Sequence, residues 1–326
     1  MTVLVTGDGL IGRLTADLLV ERGDKVVIAD LHPSLHPGGC ERIVCDVSDT
    51  LAVQRLVSEK GIKSIVHTAA MLSTGIRRDP RRGVEVNIAG TANILDAALR
   101  HGVRRVVCAS STTVGYAAFG TLGAEPVPED IPHLMIGQRP ASIYAMTKLA
   151  GEHMGLLYAD MGLDVVMLRY AAVLGGGAEP PTSVPGRLLG ALATAGRSGR
   201  RLVLDDPYLL WGGREEFVDA RDCALANLAA LDAREPLQRV YNIATGDWTT
   251  LDEFVEAART VFPALNVILP QGIETGFAGF PHKRPAPSST QAAEQELGFR
   301  ARHSLVDTIG YWTARDDAHV RGGGSP

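Results

Sequence analysis

The sequence predicts an α/β fold, a doubly wound parallel sheet with a smaller, mostly C-terminal region beside it. Three observations carry that expectation. Through the first half of the chain, short β-branched runs alternate with longer amphipathic stretches, which is the pattern of βαβ units. The runs are continuously apolar, as strands buried on both faces must be. A glycine turn, Gly7-Asp-Gly9-Leu-Ile-Gly12, stands between the first run and the first amphipathic stretch. At 326 residues, 45% hydrophobic and 21% charged, the chain can bury a sizeable core and has the composition of a soluble globular protein.

Strands are expected at residues 2–6, 25–29, 42–45, 64–67, 104–109 and 165–169, with helices at 10–22, 50–59, 80–101 and 141–161 between them. After Arg169 the alternation breaks, and Gly175 to Pro181 marks a loop before a helix near 185–195. A pair of strands is expected near 201–204 and 217–218, then a helix at 221–231 and a strand at 240–243. Thr249 or Thr250 caps a helix over 250–261. The Gly- and Pro-rich stretch 272–289 reads as loop, 304–312 as a last helix and 321–326 as a disordered tail.

Several classes of function are excluded at this level. The net charge is −5 and the basic residues are scattered, so no stretch tracks phosphates and nucleic acid is not expected as a partner. No run approaches the roughly 20 apolar residues that span a bilayer. Met1 passes directly into Val3-Leu-Val5 without a basic leader, which makes a cytoplasmic location the default expectation. Cys40, Cys45, Cys108 and Cys223 show neither a paired spacing nor a disulfide density, so they are expected to be packing residues, and no metal site is expected.

The turn has a chemical reading. Gly7 permits a tight bend, Gly9 lets the backbone approach a pyrophosphate, and Gly12 lets the helix pack against the sheet, with its N-terminus facing the phosphates. Asp30, 18 residues after Gly12, is placed to accept both hydroxyls of an adenosine ribose. A carboxylate there repels a ribose phosphate, and Leu31-His32-Pro33 supplies no arginine, which favours NAD over NADP. Asp46 and Val47 are positioned for the adenine ring. After the fourth strand, the small residues Thr68, Ala69 and Ala70 let a cofactor lie against the backbone. His67 reads as an ordinary strand-end histidine, and Asn87 as a residue that ties its helix to the strand beneath.

Ser110-Ser111-Thr112-Thr113 follows the fifth strand at the carboxyl edge, where ligands bind in open α/β sheets. Tyr144 and Lys148 stand about 130 residues after the glycine turn, one helical turn apart, so both project from one face. Alone, either motif is common. Together they suggest an enzyme that removes a proton from an alcohol oxygen while a nicotinamide takes hydride from its carbon. A free tyrosine titrates near 10, so a base at neutral pH needs a shift of about 2–3 units, roughly 3–4 kcal/mol. Lys148 and the cation of oxidised nicotinamide are the expected sources.

Assembled, these residues resemble the extended short-chain dehydrogenase/reductase family, in its NAD-dependent epimerase/dehydratase branch. The resemblance runs from the glycine turn to Glu296-Leu-Gly-Phe299 and includes Asn87 to Leu95, Leu168-Arg-Tyr170, Phe217 to Asp222 and Tyr241-Asn-Ile243. It implies a Rossmann-type domain over 1–170 with later returns near 215–245, and a substrate-binding region over 171–320. It implies that Ser111, with Thr112 beside it, holds the substrate hydroxyl. Tyr144 would be the acid/base, and Lys148 would tune it and bind the nicotinamide ribose. Leu10, Ile11, Asn87 and Tyr170 join the implied cofactor contacts, and Arg214 the substrate contacts. A homodimer is implied through helices 80–101 and 141–161.

There are departures from the family pattern. The glycine turn is one residue short, Ala171-Ala172 replaces an asparagine that holds nucleotide sugars, Arg214 is off by one in register, and Val114-Gly-Tyr116 is inverted. They weaken the case for a UDP- or dTDP-sugar. The expected activity is NAD-dependent oxidation of a secondary alcohol on a sugar or sugar-like substrate. The alternative is a sugar-nucleotide 4-epimerase or dehydratase that retains NAD. A non-catalytic nucleotide sensor is the remote third reading, against which the presence of both Tyr144 and Lys148 weighs.

Overall fold

In the computed structural model of the chain, residues 1–34, 39–134, 142–176, 183–234 and 236–322 are described, with side chains to residue 314. β1 (Thr2–Thr6) runs into the glycine turn and α1 (Leu10–Glu21), followed by β2 (Lys25–Asp30) and β3 (Glu41–Val44). Asp49 starts α2 (Thr50–Glu59) by accepting from the amides of Leu51 and Ala52. β4 (Ser64–His67) leads to α3 (Ser73–Arg78) and α4 (Pro80–Val84), then through a π-helical turn at Glu85–Ala89 into α5 (Gly90–Arg100). β5 (Arg105–Ser111) ends in a 3-10 stretch at Thr112–Thr121, and α6 (Ile143–Asp160), capped by Ser142, feeds β6 (Val165–Tyr170).

Beyond β6 the elements are shorter. In order they are β7 (Ala172–Leu174), α7 (Val184–Ser198), β8 (Leu202–Val203), β9 (Phe217–Asp219), α8 (Ala220–Asp232), β10 (Val240–Ile243), α9 (Leu251–Val261), β11 (Val267–Ile268), α10 (Gln291–Glu296) and α11 (Leu305–Gly322). α9 carries a full capping box, with Thr250 and Glu253 each satisfying the other's backbone amide.

The main sheet has seven strands in the order β10-β6-β5-β4-β1-β2-β3, and every pairing in it is parallel. The chain runs outward from β1 to β3 and then returns to place β4 on the other side of β1. That reversal opens a crevice at the carboxyl ends of β1 and β4, where open α/β sheets bind ligands. One face is buried by α1 and α8 through Leu19, Cys223 and Ala230, the other by α2, α5 and α6 through Val53, Ile94 and Leu95. Each fully buried aliphatic side chain contributes about 1.5–3 kcal/mol, so a sheet covered on both faces is a rigid base for a site.

A third core forms from the later elements, with Trp211 edge-on to Phe254 at 5.7 Å and to Phe277 at 5.4 Å. The strands expected near 201–204 and 217–218 exist but do not pair with each other. β8 pairs with β11 and β9 with β7, because each finds a parallel partner from the substrate side of the chain. The last helix extends to Gly322, two residues into the expected tail, and residues 323–326 lie outside the described residues. Among the described residues no helix is long and apolar enough to cross a membrane.

Candidate active site

A cavity of about 650 Å³ lies at the carboxyl ends of β1, β2, β4, β5 and β6. At its closed end the glycine turn is held by backbone contact. Gly7 has φ +91°, and a Cβ there would meet the Ala69 amide nitrogen at 2.7 Å. At Gly12 a Cβ would sit 1.9 Å from the Gly7 carbonyl oxygen, so α1 docks only with glycine at this point. Beside Gly9 there is open space instead, and α1 starts there without a side-chain cap, leaving its first amides to face the cavity. Leu10 and Ile11 line the same wall.

Asp30 ends β2 with its carboxylate oriented by the Asp8 and His32 amides, both at 2.8 Å. The nearby Arg42 guanidinium points to Asp8, not to the cavity. Asp46 accepts from Ser48 and from Arg82 at 2.6 Å. Burial pushes its carboxyl up, but the hydrogen bonds from Ser48 and Arg82 outweigh that and hold it below the ordinary value. Val47, Thr68, Ala69, Ala70 and Tyr170 all face the cavity.

His67 is not among the lining residues. Its Nδ1 lies 2.6 Å from the Thr6 hydroxyl and its Nε2 3.1 Å from the Thr91 hydroxyl. Thr91 gives its own proton to the Asn87 carbonyl, so Nε2 carries the ring proton and Nδ1 accepts. Burial, reinforced by Lys148, lowers the ring to about 3 and keeps it neutral. Asn87 is also displaced from its expected cofactor contact. It sits in the π-helical turn, accepts from the Met71 amide at 2.7 Å and donates to the Met71 carbonyl and the Thr147 hydroxyl, each at 3.0 Å. It splints the β4 exit to α6, one residue before Lys148, and does not line the cavity.

The reacting end is built on β5 and α6. Ser110 and Ser111 point opposite ways, as strand neighbours do. Ser110 donates to Glu152, which is gripped by Arg169 at 2.7 and 2.9 Å, while Ser111 faces Thr112, Thr113 and Tyr144. Lys148 donates to the Ala109 carbonyl at 2.8 Å, with its ammonium 5.8 Å from the centre of the Tyr144 ring. Burial lowers Lys148 to about 8 and raises Tyr144 to about 12, the latter against a hydrogen bond with Ser111 that pulls down. The protein's own groups therefore keep the phenol protonated at neutral pH. Lys148 positions and partly compensates, and a further positive charge near the ring is needed to favour the phenolate.

Arg214 is not at the site. It forms a bidentate pair with Glu253 at 2.7 and 2.9 Å and donates to the Trp248 carbonyl, because the capping glutamate of α9 claims it first. The far wall comes from Leu72, Val184, Pro185, Phe277, Ala278 and Phe280, which no motif in the sequence marks. Two aromatics inside a Gly- and Pro-rich loop were the available signal, since such side chains need a surface to cover. Tyr116 of the inverted motif is buried against Phe119 and Phe280, at 4.7 and 4.4 Å between ring centres.

The model of the family described as NAD dependent epimerase/dehydratase matches residues 3–244. The chain is 28% identical to a UDP-glucose 4-epimerase of Corynebacterium glutamicum, over 95% of this chain and 93% of that protein. It is 29% identical to sterol demethylase protein B of Methylococcus capsulatus, over 85% of this chain and 80% of that one. Among solved structures, a UDP-glucose-4-epimerase from Stenotrophomonas maltophila with bound NAD and formylated UDP-arabinopyranose is similar at a TM-score of 0.80 and 26% identity, covering 99% of this chain and all of that one.

Proposed function

The chain belongs to the NAD dependent epimerase/dehydratase family, and from that premise we propose that it is an NAD-dependent oxidoreductase that oxidises a secondary alcohol of a sugar or sugar-like substrate. The observation that carries this reading is the convergence of Ser111, Tyr144 and Lys148 on one cavity that begins at the glycine turn. That cavity fits NAD on its own geometry. Gly9 leaves room for a diphosphate at the N-terminus of α1, and Asp30 presents a fixed carboxylate where ribose hydroxyls would bind. When bound, NAD supplies the hydride acceptor and a positive ring.

In this reading Tyr144 takes the hydroxyl proton, and Ser111 holds the substrate oxygen and steadies its geometry as the carbonyl forms. Lys148 keeps its ammonium under the phenol and holds the nicotinamide ribose. Gly7, Gly9, Leu10, Ile11, Gly12, Asp30, Asp46, Val47, Thr68, Ala69, Ala70 and Tyr170 contact the cofactor, and Thr112 the substrate. Residues 1–170, with the return near 215–245, form the cofactor domain, and 171–320 the substrate region. The exposed apolar side chains of α6, Met146, Leu156 and Leu157, with Met161 just past its end, support a homodimer through that helix. A cytoplasmic location completes the assignment.

A second reading, a sugar-nucleotide 4-epimerase or dehydratase that retains NAD, is favoured by the similarity to the Corynebacterium enzyme over nearly the full chain. NADH that accumulates in step with product supports the dehydrogenase, and isomerised product without net NADH supports the epimerase. In either case Tyr144→Phe should lower kcat by roughly 10²–10⁴-fold with NAD affinity unchanged. Unchanged turnover in that variant overturns the acid/base assignment.

A further inference from the structure

The far wall of the cavity is a fixed apolar surface. Phe277–Gly279 forms a 3-10 turn in which Ala278, a non-glycine residue, has φ +58° and ψ +24°. Such a conformation is strained and persists only where its surroundings over-determine it. Here they do. Phe277 packs on Trp211 and Phe217 at 5.4 and 5.5 Å, Phe280 on Tyr116 at 4.4 Å, and the Gly276 amide closes the turn on the Phe280 carbonyl at 2.8 Å. The turn thus presents apolar atoms opposite the hydroxyls of Ser111 and Thr112.

The charges around that wall are already spent. Among the described lining residues the charged groups are Asp30, Asp46, Arg82 and Lys148, the first three at the glycine-turn end and the last under Tyr144. The guanidinium nearest the substrate end is Arg284, buried behind Thr112 with its Nη2 3.5 Å from the threonine hydroxyl. It is held by Glu215 at 2.6 Å and Glu216 at 3.3 Å, so its charge is already engaged within the protein. Arg187 pairs with Asp206, and Lys283 with Glu274. A diphosphate desolvated against such a wall meets, among the described residues, no free cation to offset its charge.

We propose that the substrate is an uncharged secondary alcohol that turns an apolar body toward Phe277 and Phe280, with no nucleoside diphosphate seated beside it. This rests on the reading of Tyr144 as the reacting centre and narrows the sugar-like substrate of that reading to a ring alcohol with an apolar face. The test uses the intact protein saturated with NAD, titrated calorimetrically with UDP-glucose and with cyclohexanol and its methyl-, ethyl- and propyl-substituted forms, and NADH is followed in parallel. Affinity should rise roughly fourfold per added methylene, while UDP-glucose gives no binding at millimolar concentration. Ala278→Asn, which keeps a residue tolerant of the left-handed region, places an amide in the wall and should flatten that rise.

Micromolar binding of UDP-glucose, affinity indifferent to alkyl length, or no alcohol binding at all each overturns the inference. Alcohols that bind with the expected gradient yet yield no NADH uphold it and sink the acid/base reading instead. Turnover of UDP-glucose that Tyr144→Phe abolishes does the reverse.

Discussion

Asp30 and His67 are both polar residues at the ends of neighbouring strands, and their surroundings assign them opposite tasks. Asp30 is oriented by two backbone amides at the cavity, so in the proposed cofactor site a ribose would meet a carboxylate already fixed in place. Removing a hydrogen-bonding charged group of this kind costs about 1.5–3 kcal/mol, so Asp30→Ala should weaken NAD binding tenfold or more by calorimetry. An unchanged affinity would show that the ribose lies elsewhere. His67 instead faces inward, and its depressed folded-state value, about 3 against 6.5 when unfolded, means that unfolding takes up a proton between those limits. Its contribution is present above pH 6.5 and lost as pH falls toward 3, at up to about 1.4 kcal/mol per pH unit. Denaturant melts of His67→Gln should show a shallower loss of stability on acidification than the parent. Equal slopes would mean that the ring is already charged in the folded protein. The places of His67 and Asp30 at strand ends were legible in the sequence, because the apolar runs before them mark where each strand stops.

At the scale of elements, α1 and α6 are the two helices that set the site. α1 reaches the sheet only because Gly12 lets its first turn touch the Gly7 carbonyl, so Gly12→Ala should displace the helix start and weaken NAD binding more than it lowers Tm. If both are unaltered, the turn is not the phosphate cradle. The periodicity of the first half gave α1, β1, β2 and β4 nearly residue for residue. It did not give the break in the expected helix 80–101, because a π turn adds one residue without changing which side chains are apolar. That extra residue is what carries Asn87 inward to Met71 and Thr147 and away from the cavity. Arg214 was misplaced for a related reason. A sequence shows an arginine near the right register but not the Glu253 that holds it.

At the scale of the whole molecule, the sheet supplies the glycine-turn end of the cavity and segments far apart in the chain supply its far wall. Long-range packing of this kind, Val184 with Phe277 and Phe280 around Tyr116, leaves no local pattern and could not be read in advance. The convergence of Ser111, Tyr144 and Lys148 on one cavity could be anticipated, since they come from adjacent elements of one βαβ series. Within it burial lowers Lys148 to about 8 and raises Tyr144 to about 12, so the phenol becomes a base only when a further positive charge, such as that of oxidised nicotinamide, joins the lysine beside it. The measurement that bears most directly on this account is the pH dependence of kcat/KM for alcohol oxidation in the parent and in Tyr144→Phe. The parent should gain up to about tenfold per pH unit while Tyr144 is still mostly protonated, and the variant should lose both rate and slope. A parent profile that is flat from pH 6 to 8, or a Tyr144→Phe profile that overlays it, would contradict the claim that this tyrosine moves the proton.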